Sequence, residues 1–224
     1  MKFRAVLFDL DNTLVDFMGM KKAASKAAAS AMVDAGLDYD KDALAKDLFD
    51  FYLNRWIESD DTFEAFLIEK YDKVDYRILA AGVNAYLVEK YLHLQPYPNV
   101  KETLAELRAM GLKLGVVSDG VRLKAWMRLN AAGLDKFFDV VVTHEDTCKK
   151  KPCPEPFQKA LDELKLKPEE CLFVGDWPER DIVGARALGM KACLAEYGLV
   201  DKSKRHEGEY EIKDIKELID IVRT

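Results

Sequence analysis

The sequence lacks the features of a membrane protein and of a zinc- or disulfide-based fold. Its longest apolar runs are far shorter than a membrane span, so we expect no membrane partner. The four cysteines form no Cys-x-x-Cys pair and the three histidines lie far apart, which argues against a structural zinc site and against a disulfide framework. Because the thiols are then free and we find no export signal, we expect a cytoplasmic protein.

An excess of basic residues is also missing. Lysine and arginine number 34 against 40 aspartate and glutamate residues, the formal charge is -6, and no basic patch stands out, so we expect no nucleic-acid partner. Hydrophobic residues make up 49% of the 224 residues, which is enough for a sizeable core. The length suits one large domain, or a core with an insert, in a monomer or a homodimer.

Two regions of the chain differ in periodicity. After a first apolar strand, helical patterns cover residues 18–35, 41–58, 61–70 and 76–91 with almost no strand character. From residue 99 onward, strands alternate with helices, as is typical of a doubly wound parallel sheet. We therefore predict an α/β fold in which residues 1–15 and 96–224 form a Rossmann-like core, and residues 16–95 form an inserted α-helical cap domain.

The most informative motif is the pair of carboxylates Asp9 and Asp11, directly after the apolar run Ala5–Phe8. Residues two apart in a strand point the same way, so both should lie at the carboxyl end of that strand, where α/β sheets bind ligands. Adjacent carboxylates repel each other unless a cation or a proton intervenes. A metal-assisted nucleophile paired with a general acid/base fits this arrangement, and a turn that caps the next helix is the alternative.

Three more polar motifs each follow an apolar, strand-like run. Ser118 and Asp119 stand at a strand-to-helix junction that suits a phosphate cradle, or a simple helix cap. Lys151 is followed by a proline that fixes it, although most lysine runs are solvated surfaces. Asp176 ends a strand and Asp181 begins a helix, where an acidic residue is also favoured by the helix dipole. Together with Asp9 these two carboxylates would form an oxygen-rich site suited to Mg²⁺.

Together with the Asp9–Asp11 motif, these three motifs resemble, in the same order, the four motifs of the haloacid dehalogenase-like hydrolase superfamily. The resemblance covers nearly the whole chain. The resemblance implies that Asp9 is the nucleophile that takes up a phosphoryl group and that Asp11 protonates the leaving oxygen and then activates water. It implies that Mg²⁺ is held by Asp9, the backbone carbonyl of Asp11 and Asp176, with Asp181 bound to the metal directly or at one remove. The resemblance also implies that the remaining motif residues, Ser118, Asp119 and Lys151, bind the phosphoryl group.

Asp11 also bears on the type of reaction. Haloacid dehalogenases of the superfamily lack this second aspartate, because a departing halide needs no proton. Its presence favours a phosphatase that acts on a small phosphorylated metabolite, and the helical insert resembles the cap of the subgroup that acts on small molecules. A 2-haloacid dehalogenase, a phosphomutase and a non-catalytic binding protein on the same fold remain as alternatives.

Overall fold

The structure is a computed structural model that describes residues 3–55, 59–201 and 208–224. The chain divides into two compact units. One comprises the residues up to Asp16 and from Gln95 onward, and the other is the insert Phe17–Leu94. No helix among the described residues is both long enough and apolar enough to cross a membrane.

The insert is entirely helical in its described part. After strand β1 (Ala5–Phe8), it consists of α1 (Phe17–Asp34), α2 (Lys41–Asn54), α3 (Thr62–Tyr71) and α4 (Tyr76–His93). The helix predicted for residues 41–58 ends at Asn54, and positions 56–58 lie outside the described residues. Asp40 caps α2, since its carboxylate accepts hydrogen bonds from the N–H groups of Asp42 and Ala43 at 3.1 and 2.9 Å.

Several aromatic side chains of the insert lie in its hydrophobic core, whereas Tyr76 and Tyr91 are exposed. Tyr52, Phe63 and Tyr86 are buried and contact one another, with ring centroids 5.3–5.9 Å apart. Helices α1 and α4 pack closely at Gly82, which has no side chain. A Cβ atom at this position would lie only 2.6 Å from Cγ of Met32. The insert therefore has a hydrophobic core of its own.

The other unit is a six-stranded parallel sheet with helical connections, which confirms the predicted doubly wound α/β fold. Its remaining elements are α5 (Val100–Ala109), β2 (Lys113–Val117), α6 (Arg122–Ala131), β3 (Val140–Val142), α7 (His144–Thr147), α8 (Pro154–Leu164), β4 (Cys171–Gly175), α9 (Val183–Ala187), β5 (Lys191–Ala195), β6 (Tyr210–Ile212) and α10 (Leu218–Arg223). The strand order is β3-β2-β1-β4-β5-β6, and every neighbouring pair is parallel. This order places β1 at the centre, with β2 and β4 as its neighbours.

Strand β1 is buried on both sides, as its continuous apolar sequence requires. Ala5 and Leu7 belong to a hydrophobic cluster that includes Phe157 of α8, whereas Val6 and Phe8 point to the opposite side and are equally inaccessible. Helices therefore cover both faces of the sheet, and ligands are restricted to the edge where the strands end.

The segment after β4 differs from the sequence pattern, which predicts a single helix over residues 180–188. Residues Pro178–Ile182 form a wide π-helical turn before α9 begins. The carbonyl of Trp177 accepts hydrogen bonds from the N–H groups of Arg180 and Asp181 at 3.1 and 2.7 Å. The carboxylate of Asp181 returns to accept a hydrogen bond from the N–H of Trp177 at 2.9 Å. This turn directs an acidic side chain towards the end of β4, in keeping with the association of π turns with functional sites.

Candidate active site

The three central strands bring distant motif residues to one edge of the sheet. Asp9 follows β1, and its N–H donates to the carbonyl of Val174 in β4 at 2.8 Å. Ser118 follows β2, and Asp176 follows β4. Because β2, β1 and β4 are adjacent and parallel, their carboxyl ends lie side by side. The candidate site is therefore at the position where the strand order reverses, the usual ligand site of such sheets.

A buried cluster of three carboxylates and one ammonium forms the centre of the site. Asp9, Asp176 and Asp181 are all buried, and they offer carboxylate oxygens within 4.8 Å of one another. The ammonium of Lys151 contacts Asp9 Oδ1, and it lies 2.7 Å from Asp181 Oδ1. With all three acids ionised, these four side chains carry two uncompensated negative charges. A divalent cation with a preference for oxygen ligands would balance them, so the donor set fits Mg²⁺.

Burial and the neighbouring charges both shift the pKa values of the cluster. Burial raises the pKa of Asp9 to about 7, against the lowering effect of Lys151, and the nearby Asp181 and Asp11 raise it further. Burial and the neighbouring Asp9 likewise raise the pKa of Asp176 well above its usual range. Burial opposes the charge on Lys151, but Asp181 and Asp9 outweigh it and raise the pKa of this lysine. The ammonium is therefore charged at neutral pH.

Two glycines allow the close packing of the site. A Cβ atom on Gly175 would lie 2.4 Å from the carboxyl carbon of Asp181, so a side chain there would displace this carboxylate. A Cβ atom on Gly198 would lie 1.7 Å from the backbone oxygen of Asn12, in the loop that follows Asp9. Any larger residue at either position would have to move an element of the site.

Further contacts hold the loop after β1 in place. The hydroxyl of Thr13 donates to Asp176 at 3.1 Å, and the hydroxyl of Tyr197 donates to the backbone oxygen of Thr13 at 2.9 Å. Asn12 adopts a left-handed conformation with φ of 62°, which asparagine tolerates better than most residues. Sequence reasoning missed Tyr197 and Gly198, since a Tyr-Gly pair after a strand also reads as an ordinary turn.

The predicted phosphate-binding residues Ser118 and Asp119 differ in the contacts that their side chains make. Ser118 is buried, and its hydroxyl accepts a hydrogen bond from the N–H of Gly120 at 3.1 Å. The carboxylate of Asp119 accepts from the backbone N–H of Lys151 at 2.9 Å and lies 3.6 Å from the guanidinium of Arg180. The side chain of Asp119 thus holds the lysine loop, and a contact of this residue with phosphate would come from its backbone. The phosphate-binding role of these residues stays a prediction.

Asp11 has a partner that the sequence reading missed. Its Oδ2 accepts a hydrogen bond from Nη1 of Arg128, in α6, at 2.9 Å. Arg128 is buried, as are Ala125 and Leu129 on the same helix. The sequence feature that could have indicated this partner is an arginine on the apolar face of α6, the helix that follows the second motif.

The comparisons with known proteins agree with this arrangement. A family model described as haloacid dehalogenase-like hydrolase matches residues 6–195. The chain belongs to this family. The resemblance inferred from the four motifs is therefore confirmed.

Individual relatives match over nearly the full length of the chain. The chain is 37% identical to a glyceraldehyde 3-phosphate phosphatase of Methanocaldococcus jannaschii, over 99% of this chain and 97% of the relative. It is 31% identical to the pyrophosphatase PpaX of Bacillus mycoides, over 99% and 98% of the two chains. Among solved structures, a HAD phosphatase from Thermococcus onnurineus superposes with a TM-score of 0.70 at 28% identity, with 98% of each chain covered.

The charge balance of the cluster predicts a pH-dependent effect of Lys151→Met. Removal of the ammonium leaves three buried carboxylates without their shared cation, so we expect the metal-free variant to lose about 3–5 kcal/mol of unfolding free energy at about pH 8. The loss should be smaller at about pH 5, where the raised pKa of Asp9 keeps that carboxyl protonated. Urea unfolding in EDTA measures both values.

Lys149→Met and Lys150→Met are the matched controls, since both side chains are exposed in the same run. Each should change the unfolding free energy by less than about 0.5 kcal/mol, as expected for surface positions. Equal losses for all three variants would contradict the assignment of Lys151 as the lysine of the cluster.

Proposed function

We propose that the protein is a Mg²⁺-dependent phosphatase that hydrolyses a small phosphate monoester through an aspartyl phosphate on Asp9. One observation carries the proposal: the Asp9 carboxylate is buried in contact with Lys151 and close to two further acids, and a second aspartate follows two residues later. Phosphoryl transfer requires positioning and charge neutralisation above all, and this arrangement supplies both.

In the proposed reaction, a carboxylate oxygen of Asp9 attacks phosphorus while the bond to the leaving oxygen breaks. Asp11 donates a proton to that oxygen, and the alcohol departs. In the second step Asp11 accepts a proton from water, whose oxygen attacks the phosphorus of the aspartyl phosphate. Inorganic phosphate leaves, and the Asp9 carboxylate is regenerated.

Mg²⁺ would be held by Asp9, the backbone carbonyl of Asp11 and Asp176, with Asp181 bound directly or at one remove. When bound, it would neutralise charge on the phosphoryl oxygens and keep the Asp9 carboxylate ionised. Lys151 would add a fixed positive charge on the same phosphoryl group, and Ser118 would donate a hydroxyl hydrogen bond to it.

The presence of Asp11 favours ester hydrolysis over halide displacement, because an alkoxide needs a proton to leave and a halide does not. Relatives named glyceraldehyde 3-phosphate phosphatase are 30–37% identical to this chain, which makes that triose phosphate the first substrate to test. Inorganic pyrophosphate is the second, since relatives named pyrophosphatase PpaX are 29–31% identical.

Asp9→Asn tests the nucleophile. We expect this variant to lose at least about 1000-fold in kcat with every phosphate ester, because an amide cannot attack phosphorus. With Mg²⁺ present, beryllium fluoride should raise the Tm of the wild type but not that of the variant, since it mimics a phosphoryl group on the carboxylate. A variant that retained more than a few per cent of wild-type kcat would remove Asp9 from this role.

The raised pKa of Asp9 predicts how pH affects metal binding. Below the ordinary pKa of aspartate this carboxyl makes its full contribution to the free energy of unfolding, which is lost as the pH rises through about 7. In EDTA, the Tm should therefore fall between about pH 5 and about pH 8, and Mg²⁺ should raise it more at the higher pH. Thermal melts measure both effects, and Asp9→Asn should flatten the pH dependence.

The insert Phe17–Leu94 is proposed to act as a cap that decides which ester is accepted. A chimera in which the corresponding segment of a PpaX relative replaces this insert should shift preference towards pyrophosphate, because the core motifs remain unchanged. The exchanged segment would begin after Asp16 and end before Gln95. The backbone N–H of Asp16 donates to the backbone oxygen of Gln95 at 3.3 Å, so the two ends of the core at which the segment is attached lie next to each other. The ratio of kcat/KM for the two substrates measures the shift, and an unchanged ratio would assign specificity to the core.

A further inference from the structure

The buried position of Arg128 calls for an explanation beyond packing. Its side chain is 6% exposed. Burial of a guanidinium costs free energy unless an anion and hydrogen bonds compensate for it. The buried neighbours on the same helix, Ala125 and Leu129, are apolar, and an apolar residue would fill this position without that cost. The carboxylate of Asp11 is an anion that compensates for this burial.

The contact with Asp11 restricts a side chain whose backbone is already fixed. The loop after β1 is held by hydrogen bonds from Leu14 N–H to the oxygen of Leu10, at 3.0 Å, and from Asn12 N–H to the oxygen of Val15, at 2.7 Å. These backbone bonds set the position of the Asp11 main chain. The hydrogen bond from Arg128 Nη1 to Asp11 Oδ2, at 2.9 Å, restricts the rotation of the carboxylate.

An arginine suits this task because it does not exchange protons at neutral pH. A histidine or a water molecule in the same place could compete for the proton that Asp11 must transfer. A guanidinium at Oδ2 does not compete for that proton, and it holds the carboxylate in the same orientation for both steps. Small misplacements of such a group lower rates steeply.

We propose that Arg128 is a positioning residue for Asp11: it orients the carboxylate for proton transfer to the leaving group and from water. The inference rests on the proposed phosphatase activity and assigns a role to a residue outside the four motifs. In this role Arg128 acts through Asp11, so the size of its effect depends on how much the leaving group needs a proton.

The test compares two leaving groups in Arg128→Met. p-Nitrophenolate leaves without a proton, whereas the alkoxide of an alkyl phosphate requires one. For the alkyl phosphate that the wild type hydrolyses best, kcat/KM should fall about 100-fold, in the range expected for general acid catalysis. For p-nitrophenyl phosphate it should fall less than about 3-fold, because that leaving group draws little on the acid. Arg128→Lys should recover at least about 10-fold of the loss, since an ammonium can also hold Oδ2.

A matched control and a double-mutant cycle separate this role from a structural one. Arg122→Met removes an arginine of the same helix that pairs with Asp146 at 2.7 Å, and it should leave the ratio of the two kcat/KM values unchanged. In an Asp11→Asn background, Arg128→Met should cause no further loss with either ester, because its target carboxylate is gone. Thermal melts confirm folding, and Arg128→Gln provides the same comparison if the methionine variant does not fold.

The remaining outcomes overturn the inference. Equal losses with both esters, or the same loss in the Asp11→Asn background, would show that Arg128 does not act through Asp11. A faster Arg128→Met variant would show that the ion pair holds Asp11 away from the reaction. If the wild type with Mg²⁺ hydrolysed no phosphate ester, the proposed function itself would fail, and this result differs from an active wild type with an insensitive Arg128.

Discussion

The contact of one buried ammonium with two of three buried carboxylates is the interaction on which the site depends. Such a cluster is costly to bury, because each ion loses its hydration and the acids repel one another. The parallel sheet makes it possible by ending β1 and β4 side by side, while the wide turn before α9 adds Asp181. Lys151 comes from a separate segment of the chain, the loop between α7 and α8. The excess of negative charge that remains is what makes the cluster receptive to a dication.

The loops around the cluster are held by contacts that tolerate little change. The carboxylate of Asp119 fixes the backbone of Lys151, and the hydroxyl of Thr13 fixes Asp176. The missing side chains at Gly175 and Gly198 let neighbouring atoms approach closer than any Cβ would allow. Stability is thus given up at the cluster and restored by apolar packing beneath it, where β1 is inaccessible to solvent on both faces. A well-packed scaffold beneath a charged site is the arrangement that holds functional side chains in a fixed geometry.

Local patterns in the sequence predicted most of the fold, because apolar runs and helical periodicity are properties of neighbouring residues. They also predicted that Asp9 and Asp176 would lie together, since adjacent parallel strands end at one edge. What they could not predict are contacts whose partners are chosen by packing. Arg128 lies 117 residues from Asp11, and Tyr197 lies 184 residues from Thr13, so no local pattern links either pair. The π turn was missed for a different reason. Pro178 and the acidic residues after it are equally compatible with an ordinary helix start, so the local sequence does not distinguish the two.

The two aspartates of the first motif show how surroundings can assign different tasks to identical side chains. Asp9 contacts an ammonium that also serves Asp181, and burial raises its pKa to about 7, so a cation is needed to keep it ionised. Asp11 is more exposed, at 23% of its side chain, and it pairs with the guanidinium of Arg128 on α6. In the proposed reaction, the first must present an ionised oxygen to phosphorus, and the second must exchange a proton with a leaving group and with water. Separate cations allow this division, because a proton on Asp11 does not disturb the ammonium that Asp9 requires.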